Sequence, residues 1–333
     1  MTQAFPLWTW LDRSHAINGD AVQAPLTLRP HIPNHAVHFG IMLPGLPEPF
    51  RFLNLITVIG QPRARIFRNT HLIRTTAADT ASLLVGTATA TPDHFRGYSV
   101  QQDCEFAADG SRLRFGNELL MEGRYPVFTA RRQGHDFNFE LQLRATDRIA
   151  HFAKMVGGLY DHWSILCEYQ GHLEQGGVQT PVQGLCTYEY ARAANLPLPL
   201  RFFSYQIINV DARTQVLFVV VLGPRGLPVQ RRVYVRSLDS HGGIYSRGFD
   251  FTVHEYEASP VTSPEGATMR LPRRFSWQVQ DDQGKELIVI DGECNGDFRY
   301  GMAAGYAGSY RYQGRFRGQP LQGTGYIEYI DYR

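Results

Sequence analysis

The chain has 333 residues, of which 43% are hydrophobic and 19% charged, and its formal net charge is +2. That length holds roughly two or three domains with a sizeable core, and the composition excludes a disordered chain. A charge so near zero gives no support for a nucleic-acid partner, and Arg311, Arg315 and Arg317 read as one strand face rather than a basic patch.

Taken from the N-terminus, Met1 to Pro6 lacks the charged and apolar regions of a secretory signal, so the expected location is cytoplasmic. Strand signals then dominate. Ala36 to Leu43, Phe50 to Ile59, Phe137 to Ala145, Phe202 to Val210, Gln215 to Leu222, Arg232 to Arg236 and Lys285 to Ile290 are rich in β-branched and aromatic residues. Gly- and Asp-bearing turns separate them, among them Ala108-Asp109-Gly110, Gly176-Gly177 and Asp282-Gln283-Gly284. Thr146 to Val156 alone carries helical spacing, with Ile149, Phe152 and Val156 on one side, and predicts one short helix or a structured loop. The longest apolar run, Val216 to Leu222, is too short to span a bilayer. The four cysteines include no C-x-x-C pair and the histidines show no zinc spacing, so neither a metal nor any other cofactor is expected. Cys167 and Cys186 fall on neighbouring strands of one hairpin and read as free buried thiols.

The chain also repeats itself. Pro181-Val182-Gln183-Gly184 leads to Glu189-Tyr190, and at the same spacing Pro320-Leu321-Gln322-Gly323 leads to Glu328-Tyr329, an offset of 139 residues. A Tyr-Gln-Gly triplet precedes each copy, at Tyr169 and at Tyr312. Leu53 to Gly60 resembles Val216 to Gly223, and Met155 to Gly158 parallels Met302 to Gly305. The same features therefore occur twice, in units expected at 1–193 and 197–333 with a joint at Ala193-Ala194-Asn195-Leu196-Pro197. A unit of the second size fits an antiparallel barrel of about eight to ten strands. The fold class expected is all-β, two antiparallel β-barrels in tandem.

Strand alternation sorts the first hairpin. Val182, Gly184, Cys186, Tyr188 and Tyr190 share one face; Gln183, Leu185, Thr187 and Glu189 share the other. In an ordinary barrel the first set faces the core, and Glu189 faces water or pairs with Arg192. The repeated acid, Glu328, suggests a structural task for both copies. Asp161-His162-Trp163 stands at the end of a Gly-Gly-Leu-Tyr loop and offers a carboxylate, a group titrating near neutrality and a ring. His254-Glu255-Tyr256 reads as a solvated strand and Asp239-Ser240-His241 as a turn.

At the hairpins the residues resemble the tandem lipocalin-fold family that contains carotenoid 1,2-hydratase (hydroxyneurosporene synthase) and the AttH-like proteins. Trp163-Ser164 with Gly171, Val182 to Tyr190, and Gly323 to Tyr332 carry the resemblance. Thr187 stands where the family has tryptophan, and the acid is Glu189 rather than aspartate. The resemblance implies lipocalin-like barrels and a lipophilic small-molecule partner, isoprenoid, polyketide or fatty. Where there is a reaction, it implies cofactor-free hydration, isomerisation or cyclisation. Protonating an alkene needs a carboxylic acid kept neutral by an apolar pocket, and ring faces to stabilise the cation. Asp161, His162 and Glu189 are the catalytic candidates; Trp163, Glu168, Tyr188, Tyr190 and Tyr205 are the substrate-binding ones, with Glu168 a second candidate acid. Two alternatives stay open: a non-catalytic lipid or pigment carrier, and a structural protein whose barrels are filled by their own side chains. The oligomeric state and the role of the N-terminal 30 residues, with Trp8 and Trp10, are not legible.

Overall fold

β-Branched and aromatic side chains fit a pleated, half-buried surface, and the runs that carry them pair into two large antiparallel sheets. The computed structural model describes residues 11–18, 22, 26–89, 94–135, 137–240 and 242–333. Trp8, Trp10, the Met1 to Pro6 segment and His241 lie outside the described residues. The first sheet contains β1 (His35–Pro44), β2 (Phe52–Ile59), β3 (Thr80–Gly86), β4 (Phe95–Ser99), β5 (Cys104–Phe106), β6 (Arg112–Phe115), β7 (Leu119–Arg124), β8 (Val127–Arg132), β9 (Phe137–Lys154), β10 (Tyr160–Gln175) and β11 (Val178–Ala194). Each pairs with its neighbours in the chain, except β4 with β5, and β11 returns to pair with β1. The seam between β4 and β5 is crossed by a single helical turn, Val100–Asp103, and by the Tyr98 hydroxyl, which donates to Glu118 at 2.6 Å. The result is a nearly closed up-and-down barrel.

The second sheet repeats the plan with β12 (Phe202–Asn209), β13 (Thr214–Leu222), β14 (Pro228–Ser237), β15 (Gly243–Tyr245), β16 (Arg247–Tyr256), β19 (Pro272–Gln280), β20 (Glu286–Cys294), β21 (Arg299–Met302), β22 (Gly305–Phe316) and β23 (Gln319–Asp331). β17 (Val261–Thr262) and β18 (Thr268–Met269) form a separate small ribbon. Here β23 returns to pair with β12, and the seam falls between β15 and β16. The Tyr-Gln-Gly triplets occupy equivalent places: Tyr169 faces Gly184 across one strand pair and Tyr312 faces Gly323 across the other. Their glycines explain themselves. A Cβ on Gly171 would lie 2.0 Å from the Glu140 carbonyl oxygen, and one on Gly314 would lie 2.0 Å from that of Val289. Both barrels need the same close backbone approach at the same point.

Where a short helix or structured loop is expected at Thr146 to Val156, the chain continues as the end of β9 through Lys154, and a 3-10 turn, Val156–Gly158, follows. Pairing with β10 overrides the local spacing, and two register irregularities in that pairing shift the side-chain alternation. Ile149 packs on the first barrel's core whereas Ala150 and Phe152 pack on the second unit's, so the helical-looking stripe is split between two sides of one strand.

The first barrel encloses its own core, with Phe39, Leu55, Phe115, Phe139 and Leu141 inside. The second core is continuous with the outer face of the first barrel, because Met42, Phe52, Ile56, Leu84 and Phe152 join it. Polar contacts tie the units on both flanks. On one, Tyr234 of β14 donates to the His151 carbonyl at 3.3 Å and Arg236 to Ser164 Oγ at 3.0 Å. On the other, the Tyr300 hydroxyl donates to Asn69 Oδ1 at 2.6 Å. Asp12 joins the N-terminal segment to both units, accepting from the Lys154 backbone N–H at 3.0 Å and lying 3.7 Å from Arg232.

Candidate functional site between the barrels

The interface gathers ionisable groups by register. Ser164, Glu189, Gly40 and Ile56 form one row across β10, β11, β1 and β2; His162, Ala191, His38 and Val58 form the next. Alternation turns Glu189, His162 and His38 away from the first barrel's core and toward the second unit. Small residues make room. Ala191 separates the two imidazoles, whose centroids lie 6.0 Å apart, and a Cβ on Gly40 would lie 2.9 Å from the His38 ring.

Glu189 is 2% exposed. Its Oε2 lies 3.5 Å from His162 Nε2 and 4.0 Å from His38 Nε2, and its Oε1 accepts the Tyr205 hydroxyl at 2.5 Å. The other nitrogen of each ring is held: His38 Nδ1 lies 2.9 Å from the Thr57 carbonyl and His162 Nδ1 2.9 Å from the Tyr160 hydroxyl. Phe152 meets the His162 ring edge-on at 4.7 Å. Glu328, 4% exposed, accepts the Tyr326 hydroxyl at 2.9 Å, and Asn54 donates to that hydroxyl at 3.1 Å from the first unit. Tyr205 is the cross-strand neighbour of Glu328 as well as the donor to Glu189, so it links the two acids.

The two carboxyls take opposite states. Burial pushes Glu189 up, but the facing imidazoles of His162 and His38 outweigh it and hold the group at about 2. Burial, reinforced by the nearby Glu189 charge, pushes Glu328 well above the carboxylate range. Burial draws His162 down, against the pull of Glu189. Burial and the Glu189 charge push the Tyr205 hydroxyl well up, so it stays a donor. The imidazoles thus favour the ionised form of one acid, and burial without them favours the neutral form of the other.

The residues singled out in the sequence divide between several places. His162, Glu189 and Tyr205 come together here. Glu189 does not face water and does not pair with Arg192, because the outside of this barrel is the second unit. Arg192 instead holds Asp161, which also pairs with Lys154, at 3.0 and 2.9 Å. Asp161-His162-Trp163 is no loop cluster but the start of β10, and alternation separates its members. Trp163, Tyr188 and Tyr190 lie in the first barrel's core, Tyr188 stacked on Phe128 at 4.4 Å and Tyr190 packed 5.6 Å from Trp163. Glu168 is exposed. Cys167 and Cys186 face each other across β10 and β11 as free thiols. His254 contacts Ser276, and Glu255 pairs with Arg273 at 2.8 Å. Sequence reasoning missed His38, Asn54 and Tyr326 and set Glu328 aside. The repeat held the signal for Glu328, since it matches Glu189; nothing near His38 in the sequence marks it. His38, His162 and Glu189 each offer one ligand atom within 4.8 Å of the others, so these three could hold a metal ion.

Two cavities flank this region. One of about 210 Å³ lies between the units, lined by Ile149, Ala150, Tyr234 and Arg236 among others. Ala150 pairs with Ser164, which pairs with Glu189, so this space begins two strands from the acid. The other, about 340 Å³, opens at the mouth of the second barrel between Phe202, Phe249, Phe251 and Tyr256.

Two lipocalin-like antiparallel barrels packed through their outer faces place the chain in the tandem-lipocalin fold class. The chain belongs to DUF6670, a family of unknown function, whose model matches residues 56–333. It is similar in structure to an AttH-like protein from Nitrosomonas europaea, with 12% identity, a TM-score of 0.59, and coverage of 95% of this chain and 98% of that one. Kievitone hydratase from Nectria haematococca follows the same fold at 10% identity and a TM-score of 0.55, covering 94% of this chain and 97% of its own. CghA does so at 8% identity and a TM-score of 0.52, covering 94% of each. No curated protein matches the sequence. Among the described residues, no helix is long and apolar enough to cross a membrane.

Proposed function

We propose that the protein binds a lipophilic small molecule and hydrates, isomerises or cyclises it by proton transfer at the interface between the barrels. One observation carries the reading: two buried carboxyls share that interface, Glu189 facing two imidazoles and Glu328 facing none, so burial favours the neutral form of Glu328 and the imidazoles favour the ionised form of Glu189. Groups whose environments drive their pKa values apart divide naturally into acid and base. In hydration, Glu328 gives its proton to one alkene carbon and leaves a cation at the other. Ring faces such as Phe152 stabilise that cation, water adds its oxygen, and the His162 imidazole, facing Glu189, takes the water's proton. Tyr205 and Tyr326 each hold one acid in place by a hydroxyl hydrogen bond. In isomerisation the base removes a carbon-bound proton instead and no water is added. Kievitone hydratase, similar in fold, is by its name a hydratase, which favours hydration among the three.

The test is deuterium uptake. Isoprenoid, polyketide and fatty alkenes are incubated with the protein in D₂O and analysed by mass spectrometry. The wild type incorporates solvent deuterium, and Glu328→Gln loses about 10²- to 10⁴-fold of that rate. Tight binding with no incorporation by either protein removes the reaction and leaves a carrier. A specific observation favours that second reading: the larger cavity, lined by Phe202, lies on the opposite face of β12 from Tyr205, away from the acids. A carrier would hold its ligand there, unchanged.

A further inference from the structure

We infer that His38, His162 and Glu189 form a binding site for one divalent first-row transition ion, zinc foremost. The three ligand atoms come from β1, β10 and β11, held in register by continuous backbone pairing. The Nε2 atoms of both imidazoles point at the same carboxylate oxygen from 4.0 and 3.5 Å. Those distances are too long for hydrogen bonds. With the third separation they fall within 4.8 Å, and small side-chain shifts bring the three atoms to the separation of about 3.3 Å that ligands 2.0–2.1 Å from a tetrahedral ion adopt.

The hydrogen bonds around the ligands argue the same way. Thr57 offers His38 a carbonyl oxygen, which can only accept, so Nδ1 carries the proton there. That leaves Nε2 as the ring atom turned toward the carboxylate. His162 Nε2 is buried with no hydrogen-bond partner, while its Nδ1 is engaged by Tyr160. A single cation placed among the three ligand atoms would serve both rings and the carboxylate at once. Each ligand also has an outer partner that fixes its orientation: Thr57 for His38, Tyr160 for His162, Tyr205 for Glu189. Metal sites are built with such partners. His38 and His162 retain 20% and 16% side-chain exposure, which gives an ion a way in, whereas Glu189 has 3%. Two imidazoles and one carboxylate suit zinc or ferrous ion, and three protein ligands leave a position open for water.

The site shares its residues with the base proposed above but does not rest on that reaction, and its test reads metal rather than turnover. The untagged full chain is purified from medium containing zinc and iron salts and assayed by inductively coupled plasma mass spectrometry. It is then stripped with EDTA and titrated with zinc chloride and cobalt(II) chloride. The wild type retains about one equivalent and gives visible cobalt bands of a low-coordinate N₂O site. His38→Ala and His162→Ala lose both signals, Tyr160→Phe binds about 10- to 100-fold more weakly, and Glu168→Gln matches the wild type. A stripped wild type that binds neither ion overturns the inference, and needs no variant to fold. Equal metal in wild type and both histidine variants also overturns it, since the ion then sits elsewhere.

Discussion

Glu189 and Glu328 occupy matching positions in two copies of one hairpin, yet their neighbours differ. In the first unit the cross-strand neighbours of the acid are Ser164 and Gly40; in the second they are Ala307 and Tyr205. Gly40 leaves space for an imidazole to reach Glu189. Its counterpart Tyr205 fills the corresponding space beside Glu328 and sends its hydroxyl across to Glu189. Among the described residues no cation pairs with Glu328. Equal backbone positions thus push the two carboxyls in opposite directions, because the residues one strand away decide which charge is balanced.

Breaking the comparison at its charged end has the largest expected effect. Glu189→Gln removes the anion between two imidazoles, and stability should fall by about 3–5 kcal/mol in guanidinium denaturation, as for a buried pair stripped of one partner. A loss within about 1 kcal/mol would mean that the imidazoles do not depend on that charge.

The tyrosines sharpen it. Tyr205→Phe deletes a hydrogen bond to an ionised group and should cost about 1.5–3 kcal/mol, whereas Tyr326→Phe deletes one to a neutral acid and should cost about 0.5–1.5 kcal/mol. The reverse order would exchange the states assigned to the two acids.

The smallest effect is a pH slope. Glu328 has its folded pKa raised above the ordinary 4.5. Its contribution to stability is complete below that value and is lost as pH rises toward the folded pKa. Glu328→Gln cannot lose a proton, so its melting temperature relative to wild type should climb between about pH 5 and 8. A flat difference across that range would mean that Glu328 is already ionised.

Much of the fold was legible because its signals are local. Turn glycines, alternation along Val182 to Tyr190, and the duplicated Tyr-Gln-Gly and Glu-Tyr pairs all report on single hairpins. The alternation even placed Glu189 correctly, on the face opposite Tyr188. What lies beyond that face was not legible, since water and a second barrel impose the same pattern on one strand until they are distinguished by burial. The helix expected at Thr146 to Val156 failed for a related reason: irregular pairing with β10, a contact remote from the local spacing, produced the stripe. His38 stands 151 residues from Glu189 in sequence and becomes its neighbour only through closure of β1 on β11.

The packing of the barrels has a consequence for how such a site can arise. Two copies of one unit meeting through the same outer face have the arrangement of an isologous homodimer, here carried on one polypeptide. In a true homodimer both acids would keep identical surroundings, and any replacement would change both sides together. Joining the copies end to end lifts that constraint. Asymmetry then becomes available to single substitutions, and a symmetric pair of glutamates can be turned, one residue at a time, into a donor and an acceptor.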